Sequence, residues 1–87
     1  MQLNSVKTVI IGMSIYTHQF VLPKLVHQMD TEIVESAVMM SPACHNAIAD
    51  YEHHTLIIEY CDRDSLIDIE RLLDAAGYPV AHSKTVH

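Results

Sequence analysis

Imidazole and thiol are the two side-chain groups in this chain best suited to chemistry, with seven histidines and two cysteines among 87 residues. Four such donors fall within one short stretch, Cys44, His45, His53 and His54, where they are flanked by Asp50 and Glu52. His18 stands apart from them, near the N-terminal end. Imidazole and thiolate ligate transition metals, and a histidine-rich set favours Zn(II), Cu(II), Ni(II) or Co(II) over a two-coordinate Cu(I) thiolate site. Each donor also has an ordinary role in packing. On a helix, Cys44 shares a stripe with Ile48 and Tyr51 and acts as a small buried hydrophobe, and His45 lies about 100° around from it, a poor chelate. His53 and His54 alternate faces if a strand has begun there. His18 can cap a loop or pack on a sheet, and Met13, Met39 and Met40 read as core.

Catalysis has less support. Two glycines in all leave no phosphate-cradling loop, and no His-Glu-x-x-His occurs. The carboxylates at 62, 64, 68, 70 and 74 fall as the solvated face of a helix, dense toward its N-terminus. The expectation is a protein that is not an enzyme. Five Lys+Arg against eleven Asp+Glu give a net charge of -6 without a basic patch, which argues against a nucleic-acid partner. No apolar run approaches the ~20 residues of a membrane span, and the N-terminus lacks the layout of a signal peptide. Two cysteines are too few for a disulfide scaffold and suit a reducing compartment, so the cytoplasm is expected.

The elements that must position these donors follow from periodicity and punctuation. At 87 residues and 49% hydrophobic content the chain is one domain with ample core. Apolar residues on both faces of residues 5–13 predict a central strand, closed by Gly12 and a loop from Gly12 to His18. Leu22, Leu25, Val26 and Met29 predict a helix from about Phe20 to Met29, with Pro23 in its first turn. Glu32 to Met40 reads as a second strand. Ser41-Pro42 starts a short helix over 42–51, favoured by the alanines at 43, 47 and 49. Thr55 to Cys61 is a third strand. Ser65-x-x-Asp68 opens a helix with Leu66, Ile69, Leu72, Leu73 and Ala76 on its buried stripe, and Gly77 terminates it. Tyr78 to Val86 supplies the last strand. This order predicts an α+β, ferredoxin-like βαββαβ sandwich. Its four-stranded antiparallel sheet carries two helices on one face, with an extra short helix between strands 2 and 3.

Several runs resemble the heavy-metal-associated (HMA) domain family, the fold of small copper chaperones and of metal-pump N-terminal modules. They are Val9-Ile10-Ile11-Gly12-Met13-Ser14, then Leu56-Ile57-Ile58-Glu59-Tyr60-Cys61-Asp62, Ser65-Leu66-Ile67-Asp68-Ile69, and Ala75-Ala76-Gly77-Tyr78-Pro79-Val80. The similarity extends over nearly everything except 41–53, so the chain reads as a single HMA-like domain over 1–87 with an insertion at 41–54. The family's loop is Gly-Met-Thr/Ser-Cys-x-x-Cys, whose thiolate pair holds soft ions such as Cu(I). Here Ile15 stands at the first cysteine and His18 at the second, so the thiolate pair is missing.

Topology then brings the insertion, the Gly12–His18 loop and the Gly77-Tyr78-Pro79 turn to one end of the sheet. The expected metal ligands are therefore His18, Cys44, His45, His53 and His54, holding a transition-metal ion such as Zn or Cu. Cys61 and His82 are expected at the opposite end, about 20 Å from Cys44 in the case of Cys61, which excludes a disulfide between the two cysteines. The resemblance implies a metal ion, and a metal-transporting ATPase or another protein, as partners. The edge strands, second and fourth, offer a route to a homodimer. The alternative function is a metal-free interaction or dimerisation module on the same fold.

Overall fold

Buried and half-buried side chains alternate along Tyr16–Val21, which makes this stretch β1. The computed structural model describes residues 15–86. After β1 the chain forms α1 (Gln28–Val38), β2 (Cys44–Asp50), β3 (Thr55–Tyr60), one 3-10 turn (Arg63–Ser65), α2 (Leu66–Ala75) and β4 (His82–Val86). The four strands form one antiparallel sheet in the order β2-β3-β1-β4. Two β-α-β units thus interleave, and the expected four-stranded sheet with two helices is present.

His18 and Phe20 from β1, with Leu56, Ile58 and Tyr60 from β3, face the helices. Val34 and Val38 of α1 and Ile69 and Leu73 of α2 close the core over them, all without solvent exposure. The opposite face of the sheet carries no helix. Its middle row runs Ile48, Ile57, Gln19, Lys84 across the four strands.

Local chemistry sets the helix ends. At the head of α1 the Asp30 carboxylate accepts from the backbone N–H of His27 at 2.9 Å and of Val26 at 3.1 Å, satisfying donors that a helix start leaves unpaired. At the end of α2, Gly77 takes φ +96, where its N–H donates to the Asp74 carbonyl and the Tyr78 N–H to the Leu73 carbonyl. This 5→2 and 6→1 pair is a Schellman cap, as expected of Gly77. Glu35 reaches from α1 to β2, where its Oε2 accepts the Ala49 N–H at 2.9 Å and covers part of an edge strand.

Between residues 16 and 54 the observed elements differ from those expected. The strand expected over 5–13 lies outside the described residues. Phe20 and Val21 belong to β1, and residues 22–27 form a connection rather than a helix. Residues expected as a second strand, Glu32 to Met40, lie largely in α1, because Val34, Ala37 and Val38 meet the sheet at helical spacing. The short inserted helix over 42–51 is absent: Cys44–Asp50 is β2, followed by a hairpin turn at 51–54. The alanines there serve the sheet, since Ala47 and Ala49 pack against the core, where small side chains suit the close approach of α1. Residues 41–54 therefore hold β2 and a turn rather than an inserted helix. The last strand starts at His82 rather than Tyr78.

Candidate functional site

Strand pairing defines the two ends of the sheet. Val21 lies opposite Thr55 on one side and His82 on the other, and Asp50 lies opposite Thr55. The β1–α1 connection (22–27), the β2–β3 turn (51–54) and the α2–β4 connection therefore share one end, called the loop end. His82 lies at this end and not, as expected, at the other.

Backbone and side-chain bonds tie the three connections together. Leu22 N–H donates to the His54 carbonyl at 2.7 Å, and Ala81 N–H to the Val21 carbonyl at 2.9 Å. The Tyr78 hydroxyl donates to Asp30 Oδ1 at 2.5 Å, joining the α2–β4 connection to the head of α1. That bond, followed by those from the His27 and Val26 N–H groups, holds the Asp30 carboxyl below the ordinary aspartate range. The same bond raises the Tyr78 hydroxyl above the usual tyrosine range.

His54 is the histidine most firmly set by its surroundings. It is the one non-glycine residue with positive φ among those described, at +57. Its ring Nδ1 lies 2.8 Å from the Leu25 carbonyl oxygen. A carbonyl only accepts, so Nδ1 carries the proton and Nε2 of the neutral ring keeps its lone pair. His53 is arranged alike: its Nδ1 donates to Asp50 Oδ2 at 2.7 Å. Asp50 Oδ1 accepts the N–H groups of Glu52 and His53, and the bond from His53 leads the causes that keep the Asp50 carboxyl low. An imidazole whose Nδ1–H is engaged by a carbonyl or carboxylate is held in the tautomer that ligates through Nε2.

The other expected ligands lie elsewhere. His18 is in mid-strand, 6% exposed, opposite Ile58 on one side and Thr85 on the other. Its ring packs on Phe20 at 5.0 Å between centroids and edge-on to Tyr60 at 6.2 Å. Both ring nitrogens are enclosed without a hydrogen-bond partner, and burial pushes the imidazole pKa down. Cys44 and His45 begin β2 at the far end, since Cys44 lies opposite Tyr60. Seven residues of β2 at about 3.3 Å each separate them from the 51–54 turn by roughly 20 Å. Cys44 is buried, its thiol donates to the Asn46 carbonyl at 3.5 Å, and burial raises its pKa, so it holds its proton. Cys61 follows β3 at this same far end, with its N–H on the Ala43 carbonyl at 3.0 Å. The two cysteines are thus neighbours at one end of the sheet rather than a strand length apart, and both are free thiols.

The fold therefore brings His53 and His54 to the loop end and does not bring His18, Cys44 or His45 to them. Among the described residues no three His, Cys, Asp or Glu side chains stand close enough to enclose a metal ion. The family's Gly-Met-Ser match and most of the expected Gly12–His18 loop lie outside the described residues or inside β1. Residues 22–27 occupy the connection between the first described strand and helix, and they hold no cysteine. Their one imidazole is His27, the N-cap of α1, which sequence reasoning passed over. The signal for it is the acidic Asp30 three residues on, half of a capping box.

No protein-family model matches the sequence, and no curated protein matches it. Solved structures do. Oxidized MerP from Ralstonia metallidurans superposes with a TM-score of 0.71 at 16% identity, over 85% of this chain and 100% of its own. The N-terminal domain of a potential copper-translocating P-type ATPase from Bacillus subtilis, in its Cu(I)-loaded state, gives 0.70 at 16% identity, over 82% and 92%. A heavy metal binding protein from Thermotoga maritima gives 0.68 at 17% identity, over 80% and 98%. No helix among the described residues is long and apolar enough to cross a membrane. With its sheet order, its two helices and these likenesses, the chain has the fold of the heavy-metal-associated domains.

Proposed function

We propose that this protein binds a transition-metal ion at the loop end of its sheet, through imidazole rather than a thiolate pair, and carries or senses it. The observation that carries this reading is His54, whose Nδ1–H is tied to the Leu25 carbonyl so that Nε2 is the free donor. His53, with its Nδ1–H on Asp50, is the second ligand assigned, and His18, Cys44 and His45 take no part. One or two imidazoles leave coordination positions for water or for a donor from a receiving molecule. Such a site suits a carrier that hands its ion on. Neutral imidazole suits Zn(II), Cu(II), Ni(II) or Co(II). Names borne by the similar structures, a Cu(I)-loaded ATPase domain among them, make a metal-transporting ATPase a candidate recipient. Equilibrium dialysis with Zn(II), Cu(I), Cu(II), Ni(II) and Co(II) tests the reading. The expected result is binding by the wild type that falls at least tenfold in His54→Ala. Binding no tighter than that of an unfolded histidine-containing peptide overturns it.

A second reading is an interaction module. Ile48 and Ile57 are direct cross-strand partners on the open face, 60% and 37% exposed, and nothing among the described residues covers them. Under this reading the fold presents a sheet face or an edge to a second copy or to another protein.

A further inference from the structure

His18 is the one described side chain whose buried polar atoms all lack a partner. An imidazole in that state is tolerated only while neutral. The unpaired nitrogens then cost a few hydrogen bonds, whereas an imidazolium there would be a charge withdrawn from water.

Groups of several elements bear on the ring. From β1 and β3 come the rings of Phe20 and Tyr60, and Tyr60 is itself neutral, its hydroxyl raised by burial. Tyr16, its ring tilted against that of Tyr60 at 5.5 Å between centroids, carries the Arg63 guanidinium 4.7 Å above its ring, a cation already committed to another face. From α2 comes Glu70, half-buried, whose charge favours the protonated ring but acts more weakly than burial opposes it. On β4 the paired residue is Thr85, which is uncharged. Cys44 shares the same core and keeps its proton. Nothing in this shell compensates a charge on His18 in full.

We infer that His18 is an acid-operated latch beneath α2: neutral, it packs between Phe20 and Tyr60 and lets the helix seat on the sheet; protonated, it sets a charge in that contact and loosens the helix. The sign follows from linkage. A histidine whose folded-state pKa lies below its unfolded value leaves stability intact above about pH 6.5 and drains it as pH falls toward the folded value. The loss can reach about tenfold in the folding constant per pH unit.

The latch extends to the loop end through bonds already described. α2 ends in the Gly77 cap, which sets Tyr78. Tyr78 holds Asp30, and Asp30 holds the N–H groups of Val26 and His27 beside Leu25, whose carbonyl fixes His54. On this route, which rests on the metal-carrier reading, acidification frees the ion by unseating α2.

The test is made on metal-free protein, so its outcome is independent of whether metal binds. Urea unfolding at pH 7.5 and 5.0 is compared for wild type, His18→Phe and His18→Leu. Wild type is expected to lose at least fivefold more in folding constant than either variant, and amide exchange in α2 is expected to quicken at pH 5.0 in wild type alone. A ring titration of wild type by NMR needs no variant. His18 is expected to titrate below the ordinary histidine value of about 6.5, and Glu70→Gln to lower it further. Equal acid sensitivity of wild type and a folded variant, or titration of His18 at or above the ordinary histidine value, overturns the inference.

Discussion

A single backbone angle decides what His54 contributes. At φ +57 a side chain with a Cβ costs about 1–2 kcal/mol relative to the ordinary helical region, a cost glycine avoids. The Nδ1–H bond to Leu25 returns about 1 kcal/mol. These nearly cancel, so His54→Gly is expected to change stability by less than about 1 kcal/mol by urea unfolding. If His54 is a ligand, the same variant loses metal in dialysis. A variant that folds while still binding metal as the wild type does would remove His54 from the site. The adjacent pair His53-His54 was legible in the sequence as a donor cluster. The tautomers were not, because they depend on Asp50 and Leu25, and Leu25 stands 29 residues away.

At the scale of elements, the Tyr78 to Asp30 bond carries the loop end. It joins the cap of α2 to the first turn of α1, so two helices that share a face also share an end. Tyr78→Phe removes the leading cause of the low Asp30 pKa, and that carboxyl is expected to titrate higher, toward the ordinary aspartate range. The linkage sign is opposite to that of His18. A depressed carboxylate contributes stability above its unfolded pKa and loses it as pH falls through the folded value. Wild type should therefore lose more stability than Tyr78→Phe below about pH 4. Carboxyl NMR titration together with acid unfolding checks both parts, and an Asp30 that titrates alike in the two proteins would remove Tyr78 as the cause. The Gly77 cap was readable in advance because a helix end followed by Gly has few other solutions. Asp30 as a cap was hidden by the helix expected to end at Met29.

For the molecule as a whole, the sheet has one covered face and one open one. Ile48 and Ile57 lie side by side on the open face, in a row that ends in Gln19 and Lys84. If that face docks a second copy, sedimentation of wild type at high micromolar concentration shows a dimer that Ile48→Lys abolishes without loss of fold. A wild type that stays monomeric there sinks the dimer form of the interaction reading. The variant is expected to be stable, because Ile48 is more than half exposed and gives up little buried area.

The sequence by itself determined the class of fold, the second half of the chain and the cap at Gly77. Over 55–77 strand period, helical spacing and glycine all agree, and a local signal repeated three ways leaves one answer; the expected Ser65 side-chain cap does not form. Only the tertiary structure decided residues 16–54. There Val, Ile and Ala at mixed spacing satisfy a helix or a strand alike, and the strand Tyr16–Val21 falls where the reading had a loop and the start of a helix. Each early element was thereby displaced by one step, while the overall order survived. What settled the matter was contact: Asp30 capping a helix through 28–38, and Ala47 and Ala49 lying small beneath it on β2. That displacement moved His18 from an imagined metal loop into the core. It also left the loop end to His27, His53, His54 and His82, because position along a strand, and not residue type, determines which donors meet.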